Sequence, residues 1–214
     1  MKQKNVFLES EGDAWYERNV SALNLRKLPE EDPLLLEILN LPLKRGATIL
    51  EIGCGDGARL GWLRENLECD CYGVEPSKKA VEVANGRNIT VYQGAADKLP
   101  FNDKTFDVII FGFCLYLCDR EDLFRIAAEA DRVVRNTGWI LIQDFYSPTP
   151  LKREYHHLPG LFSYKMDYRT LFTWHPEYTN FVHKVCHHSE KNYTDDPIEW
   201  VATSVIRKAE DIIK

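Results

Sequence analysis

The sequence predicts an α/β protein, a mostly parallel β-sheet with helices packed on both faces. Three observations lead there. Short apolar runs alternate with helical patterns between residues 46 and 145, and a glycine-rich turn follows the first run. The chain then closes on two β-like runs with no helical pattern between them, the mark of an antiparallel pair at a sheet edge.

Residues 1–28 are polar with scattered aromatic side chains. Pro29-Glu30-Glu31-Asp32-Pro33 marks a helix start, because early prolines and acidic residues suit the positive end of a helix dipole. Leu34, Leu35, Ile38, Leu39 and Leu41 follow at near-helical spacing, so this helix should run to about Asn40, before Pro42. The run 48–52 is short, apolar and branched, a buried strand, and 60–66 reads as a helix. A second strand is expected at 70–75, a helix at 78–85 and a third strand at 88–93. The run 106–111 is the most apolar and belongs at the sheet centre. Residues 121–134 carry Leu123, Ile126, Ala127, Ala130 and Val133 on one helical face, and a fifth strand follows at 139–145. Residues 146–178 match no regular pattern; the closing pair is expected at 180–187 and 199–208, joined through Asp195-Asp196-Pro197.

A chain of 214 residues with 44% hydrophobic and 28% charged content supports one domain with a buried core and fits neither disorder nor a fibrous class. Its net charge of −6 disfavours a nucleic-acid partner. No apolar stretch approaches the roughly 18–20 residues that cross a bilayer, and the N-terminus has basic residues without an apolar core, so neither membrane insertion nor a signal peptide is expected. Cys54, Cys69, Cys71, Cys114, Cys118 and Cys186 form no CxxC pair and read as reduced thiols of a cytoplasmic protein. No metal site is expected, and nothing in the sequence bears on oligomeric state.

The strongest chemical signal is Glu51-Ile52-Gly53-Cys54-Gly55-Asp56-Gly57, between the first strand and the next helix. Glycines there permit positive φ and let backbone N–H groups approach a ligand, and the helix N-terminus favours polar or anionic groups. Glu75 ends the second strand, where a carboxylate can accept hydrogen bonds from both hydroxyls of a ribose. The loop implies an adenosine-containing cofactor. Gly53, Gly55 and Ala58 satisfy the dinucleotide pattern as well, so the loop alone admits a nicotinamide cofactor beside S-adenosylmethionine.

Glu51 two residues before the first glycine, Ala95-Ala96-Asp97-Lys98-Leu99-Pro100-Phe101 after the third strand, Phe106-Asp107-Val108-Ile109 and the closing hairpin follow in order. In this the chain resembles the class I S-adenosylmethionine-dependent methyltransferases, in particular the type 11 group related to ubiquinone-biosynthesis enzymes. The resemblance covers residues 46–145 by specific motifs, and the edge strands to 208 less specifically. It implies a Rossmann-like, seven-stranded sheet with an antiparallel C-terminal hairpin, and a single domain. That domain would comprise an N-terminal helical or lid segment (1–45), a cofactor core (46–145), an acceptor-site insertion (146–178) and the edge hairpin (179–214). Glu51 would orient the loop and meet the cofactor's amino group, and Gly53, Cys54 and Gly55 would line its methionine and ribose portions. Glu75 would bind the ribose and Pro76 lie beside the adenine. Ala96 and Asp97 would meet the adenine edge, although Ala95 stands where many relatives carry an aspartate. Phe111, Gly112 and Phe113 would face the sulfonium. Tyr16 and Arg18, in a segment that folds over the cofactor in similar enzymes, would contact it too.

Methyl transfer is an in-line displacement in which the protein aligns the acceptor and excludes water, and a base is needed only for an acceptor that loses a proton early. Candidates for that base are Asp144, Tyr155, His156 and His157, the histidines by their pKa range. The N-terminus together with Tyr155-His156-His157 is similar to methyltransferases of cell-surface sugar pathways, which implies a sugar-related small molecule as acceptor. A nicotinamide-dependent oxidoreductase, which would add parallel strands after residue 145, and a non-catalytic cofactor-binding subunit are the alternatives.

Overall fold

The computed structural model describes residues 2–189 and 193–210. Helices α1 (Gln3–Val6) and α2 (Gly12–Leu25) are joined by a π-helical turn, Phe7–Glu11, and α3 spans Pro33–Ile38. Then follow β1 (Thr48–Ile52), α4 (Ala58–Leu67), β2 (Asp70–Glu75), α5 (Lys78–Gly86), β3 (Thr90–Gln93) and β4 (Phe106–Gly112). The second half comprises α6 (Leu123–Val133), β5 (Val134–Phe145), the short strands β6 (Leu151–Glu154) and β7 (Phe162–Lys165), α7 (Thr170–Thr173), β8 (Tyr178–His187) and β9 (Trp200–Lys208).

Seven strands form one sheet in the order β3-β2-β1-β4-β5-β9-β8. It is parallel from β3 to β5, and β9 then pairs antiparallel with both β5 and β8. The closing hairpin is therefore an antiparallel edge, and no parallel strand follows residue 145 in the main sheet among the described residues. The alternating side-chain direction of a strand explains why β4 is apolar throughout: Val108 and Ile110 join the core beneath α3, α4 and α5, while Ile109 and Phe111 join the core beneath α6 and α7. Leu141 and its neighbours Ile140 and Ile142 divide in the same way.

Chain order places the site. From β1 the chain winds outward to β2 and β3, then crosses to β4 on the other flank of β1. The crevice beyond the carboxyl ends of β1 and β4 is the switch point at which open α/β sheets bind ligands.

Several elements differ from the sequence expectation. The helix expected to about Asn40 ends at Ile38, and β5 begins at Val134, directly after α6 ends at Val133, with a φ of +65° at Thr137 within the strand. The N-terminal segment is helical from Gln3 to Leu25, held by side chains from distant elements rather than by a strong apolar stripe of its own. The 146–178 segment folds as the antiparallel β6–β7 ribbon and α7. Trp15, Asn19 and Leu23, four residues apart on α2, share the face turned to the crevice.

Candidate active site

The crevice is a cavity of about 750 Å³, within the range of roughly 300–1,000 Å³ typical of small-ligand sites. Its floor is the glycine loop. Gly53, Gly55 and Gly57 adopt φ of +74°, +54° and +72°, the left-handed region that side-chain-bearing residues avoid. At Gly53 a Cβ would also strike Cβ of Cys114, whereas at Gly55 it would enter open space. The loop thus presents bare backbone to the cavity at Gly55.

Glu75 reaches the loop from the end of β2. Its Oε2 accepts from Gly55 N at 2.9 Å and its Oε1 from Ser77 N at 2.9 Å. Burial pushes its carboxyl up to about 7, against the pull of those two N–H donors. Glu51, at the end of β1, pairs with Arg59 on the first turn of α4, and Arg59 Nε donates to Asp32 at 2.9 Å. Asp32 in turn caps α3 through Leu34 N and Leu35 N and lies 3.3 Å from Arg26. Burial raises the Glu51 carboxyl to about 7 while Arg59 opposes the shift. The second carboxylate oxygen of Glu51 is buried and accepts no hydrogen bond, an unmet acceptor on the cavity wall.

The roof is the N-terminal helix pair. Gly12 packs on the backbone of Ser77, and Asp13 accepts from Ser77 Oγ at 2.7 Å and Lys79 N at 3.0 Å. Further toward the N-terminus, Gln3 donates to the carbonyls of Leu117 and Phe162, and Asp119 accepts from the backbone N–H of Gln3 and Lys4. Lys4 pairs with Asp97.

Of the residues expected at the cofactor, Glu51, Gly53, Cys54, Gly55, Glu75, Pro76, Ala96, Asp97, Gly112 and Phe113 line this one cavity. Phe111, Tyr16 and Arg18 do not. Phe111 is one residue from Gly112, so strand alternation turns it to the opposite face, where it packs against Phe172 at 6.3 Å. Tyr16 is buried beside Trp15, and it is Trp15 that faces the cavity. Arg18 pairs with Glu11 and donates to the Tyr155 hydroxyl at 3.1 Å. Asp97 is on the wall, but its carboxylate is engaged by Lys4.

The acceptor-side candidates divide as well. Tyr155, His156 and His157 line the cavity, the two histidines exposed and with ring centroids 4.1 Å apart. Residual burial and the nearby Arg18 charge hold His157 below its ordinary pKa. Tyr155 donates to Glu11 at 3.0 Å, and burial pushes its phenol up to about 12, which removes it from base chemistry near neutral pH. Asp144 lies under the surface and off the cavity wall. It accepts from Leu115 N at 2.8 Å, Tyr116 N at 3.3 Å and Phe145 N at 2.7 Å, and so fixes the loop after β4 rather than meeting a ligand.

Sequence reasoning did not single out Arg26, Arg59, Tyr116, Phe145, Lys165 and His188, which line the cavity, or Asp32, which pairs with Arg59. The signal for α2 was present in the four-residue spacing of Trp15, Asn19 and Leu23. No local signal marks Lys165 or His188, which arrive from separate strands. No group of three or more His, Cys, Asp or Glu among the described residues is arranged to hold a metal ion, and no described helix is long and apolar enough to cross a membrane.

Comparison with known proteins bears on family and fold. Residues 50–142 match the family described as a methyltransferase domain. The uncharacterized methyltransferase YcgJ of Bacillus subtilis is 31% identical over 127 residues, 56% of this chain and 49% of that protein. The match spans about half the length of that curated relative. Among solved structures, the 1,6-didemethyltoxoflavin-N1-methyltransferase of Burkholderia thailandensis, with 1,6-didemethyltoxoflavin and S-adenosylhomocysteine bound, superposes with a TM-score of 0.73 at 14% identity, covering 96% of this chain and 89% of that one. A chain from the Haloferax volcanii complex between the Trm112 methyltransferase activator and a methyltransferase superposes with a TM-score of 0.72 at 16% identity, covering 97% and 99%. At these identities the likeness speaks to fold.

Proposed function

We propose that this protein, which carries a class I S-adenosylmethionine-dependent methyltransferase domain of the type 11 group, transfers a methyl group to a small-molecule acceptor in the cytoplasm. The observation that carries the reading is the pairing of two buried carboxylates with a bare glycine loop. Glu75 is oriented by Gly55 N and Ser77 N with lone pairs left for two ribose hydroxyls. The unmet oxygen of Glu51 fits the ammonium of the methionine moiety.

When bound, S-adenosylmethionine supplies an activated methyl on a sulfonium whose sulfur takes up the electron pair as the acceptor attacks. The protein's own part is to bind, orient and exclude water. Gly53, Cys54 and Gly55 would line the methionine and ribose, Pro76 and Ala96 the adenine, and Gly112 and Phe113 the transfer end. For Asp97 to meet the adenine amine it must share its carboxylate with Lys4, which supports an adenine pocket that the N-terminal helix completes. Trp15 and Phe7 on that helix supply an apolar cover that keeps water from the reacting atoms. His156 and His157 are the candidates for proton removal, since both lie on the wall and imidazole is the side chain suited to base work at physiological pH. The sugar-related acceptor has no support in the cavity wall beyond those histidines.

The antiparallel β5–β9–β8 edge disfavours a nicotinamide oxidoreductase, which would continue in parallel strands. Calorimetry with S-adenosylmethionine, S-adenosylhomocysteine and NAD tests the proposal. Micromolar binding of both sulfur ligands is expected, and binding of NAD alone would overturn it.

A further inference from the structure

Both halves of the cavity hold charges of either sign, but they are paired differently. Around the glycine loop Glu51 meets Arg59, Asp97 meets Lys4 and Asp56 meets Arg87, whereas the wall built by the β6–β7 ribbon carries Arg153 and Lys165 beside Glu154 and Glu199. Arg153 stands opposite Ser163 in the ribbon register, and Lys165 is two residues further along β7. The two-residue period of a strand therefore puts all three on one face, and all three line the cavity.

Neither cationic side chain is ion-paired among the described residues, although Glu199, Asp196 and Asp144 lie near enough to Lys165 to favour its charge. The exposed side chain of Arg153 makes no hydrogen bond or ion pair among the described residues. Lys165 donates to the carbonyl of Ile198 and lies 4.6 Å over the Phe145 ring, and it makes no ion pair among the described residues. Burial and the like charge of Arg153 push the Lys165 ammonium below its usual range. Of the carboxylates on that wall, Glu154 is exposed and Glu199 lies 4.0 Å from His187. The exposed Arg153 and the half-buried Lys165 repel one another, and an incoming anion removes that cost.

The same wall is aromatic, its rings meeting edge-on or tilted. Phe145 packs against Tyr116 at 4.9 Å, His188 at 4.9 Å and Phe113 at 5.4 Å. Phe113 holds a φ of +54°, strained for a bulky residue, with its N–H fixed on the Gln143 carbonyl at 2.8 Å. That conformation fixes the backbone that brings Phe113 to the cavity wall.

We propose that the methyl acceptor is a planar, anionic small molecule whose carboxylate or phosphate is held by Arg153 and Lys165 while its ring lies against Phe113, Phe145 and His188. The inference rests on the methyl-transfer reading and names the substrate class for the same cavity. Anchored so, the acceptor turns its nucleophile toward the cofactor half, and the two cations of the ribbon disfavour a cationic cofactor at that end.

The test uses the full chain saturated with S-adenosylhomocysteine and four probes by calorimetry: benzoate, phenyl phosphate, benzyl alcohol and benzylamine. Benzoate or phenyl phosphate is expected to bind at least about tenfold tighter than the neutral and cationic probes, and the stronger of the two identifies the anion. Arg153→Gln and Lys165→Gln should each weaken the anionic probe about tenfold, and the double variant should abolish the preference, with S-adenosylhomocysteine affinity unchanged as the check on folding. Arg153→Glu with Lys165→Glu should turn the preference to benzylamine. Intact S-adenosylhomocysteine binding with no anion preference, or with no probe bound, overturns this inference alone. Loss of S-adenosylhomocysteine binding in the unaltered protein overturns the methyl-transfer reading beneath it.

Discussion

Glu75→Gln separates the roles of charge and shape in the cofactor half. In the native site each carboxylate oxygen accepts one backbone N–H, from Gly55 and from Ser77, both at 2.9 Å. A glutamine offers one oxygen and turns its NH₂ toward the other donor, so one buried N–H loses its acceptor and a ribose hydroxyl loses its partner. The expected loss of S-adenosylhomocysteine affinity at about pH 8 is about 1–3 kcal/mol, roughly 5- to 150-fold. The pH profile is more telling. Burial, with Asp13 and Asp56 nearby, raises the Glu75 carboxyl to about 7. Ribose hydroxyls donate to the ionised form, so binding releases a proton and affinity rises with pH through about 7, falling about tenfold per unit below it. Glu51, also raised to about 7, adds slope in both proteins, so the difference between the two profiles isolates Glu75. In the ligand-free protein the sign reverses. A raised carboxyl pKa favours the protonated native state, so this contribution to stability is full below the ordinary value of 4.5 and lost as pH rises through about 7. Calorimetry from about pH 5.5 to about pH 8.5, in buffers of different ionisation enthalpy, reads both affinity and proton release. A variant with native affinity and an unchanged slope would refute the assignment of Glu75 to the ribose.

Asp32→Asn should lower stability by about 3–5 kcal/mol, because it strips the buried charge that faces Arg26 and Arg59, and the shift in urea midpoint measures it. Gly73→Ala places a Cβ on the Cys54 sulfur and 3.0 Å from Val91, so a loss of about 1–3 kcal/mol is expected. Gly61→Ala, in the interior of α4 with open space around the new Cβ, should instead stabilise by about 0.5–1 kcal/mol; thermal melts that rank the two the other way would contradict the packing described. Tyr155→Phe removes the hydroxyl shared by Arg18 and Glu11 and should speed amide exchange across residues 3–25 while leaving exchange in β1 and β4 as it was.

The sheet core was legible because its signals are local: β4 is apolar on both faces because it is covered on both, and the glycine loop follows from φ values that only glycine adopts readily. Ten of the cofactor-side residues expected from motif positions do share one cavity, since short turns leave those positions little freedom. Phe111, Tyr16 and Arg18 fell outside for a different kind of reason. Phe111 and Gly112 differ by one strand position and hence by a whole face, and Tyr16 and Trp15 by about 100° around a helix whose docking angle no local pattern records. Asp144 has a composition suited to catalysis, but three backbone donors claim it, and such donors become neighbours only after folding.

By itself, then, the sequence determined the succession of strands along the chain, the antiparallel closing edge, the glycine loop and the acidic residue that answers it. These depend on spacing along the chain and on what each residue's backbone permits. Only the tertiary structure decided that the N-terminal helices roof the cavity, that Lys4 engages Asp97, that Glu51 is left with an unmet oxygen, and that Arg153 and Lys165 face an aromatic wall assembled from β5, the loop after β4 and the end of β8. Those are contacts between segments tens to more than a hundred residues apart. Their energies come from burial and charge at a distance that local periodicity does not encode.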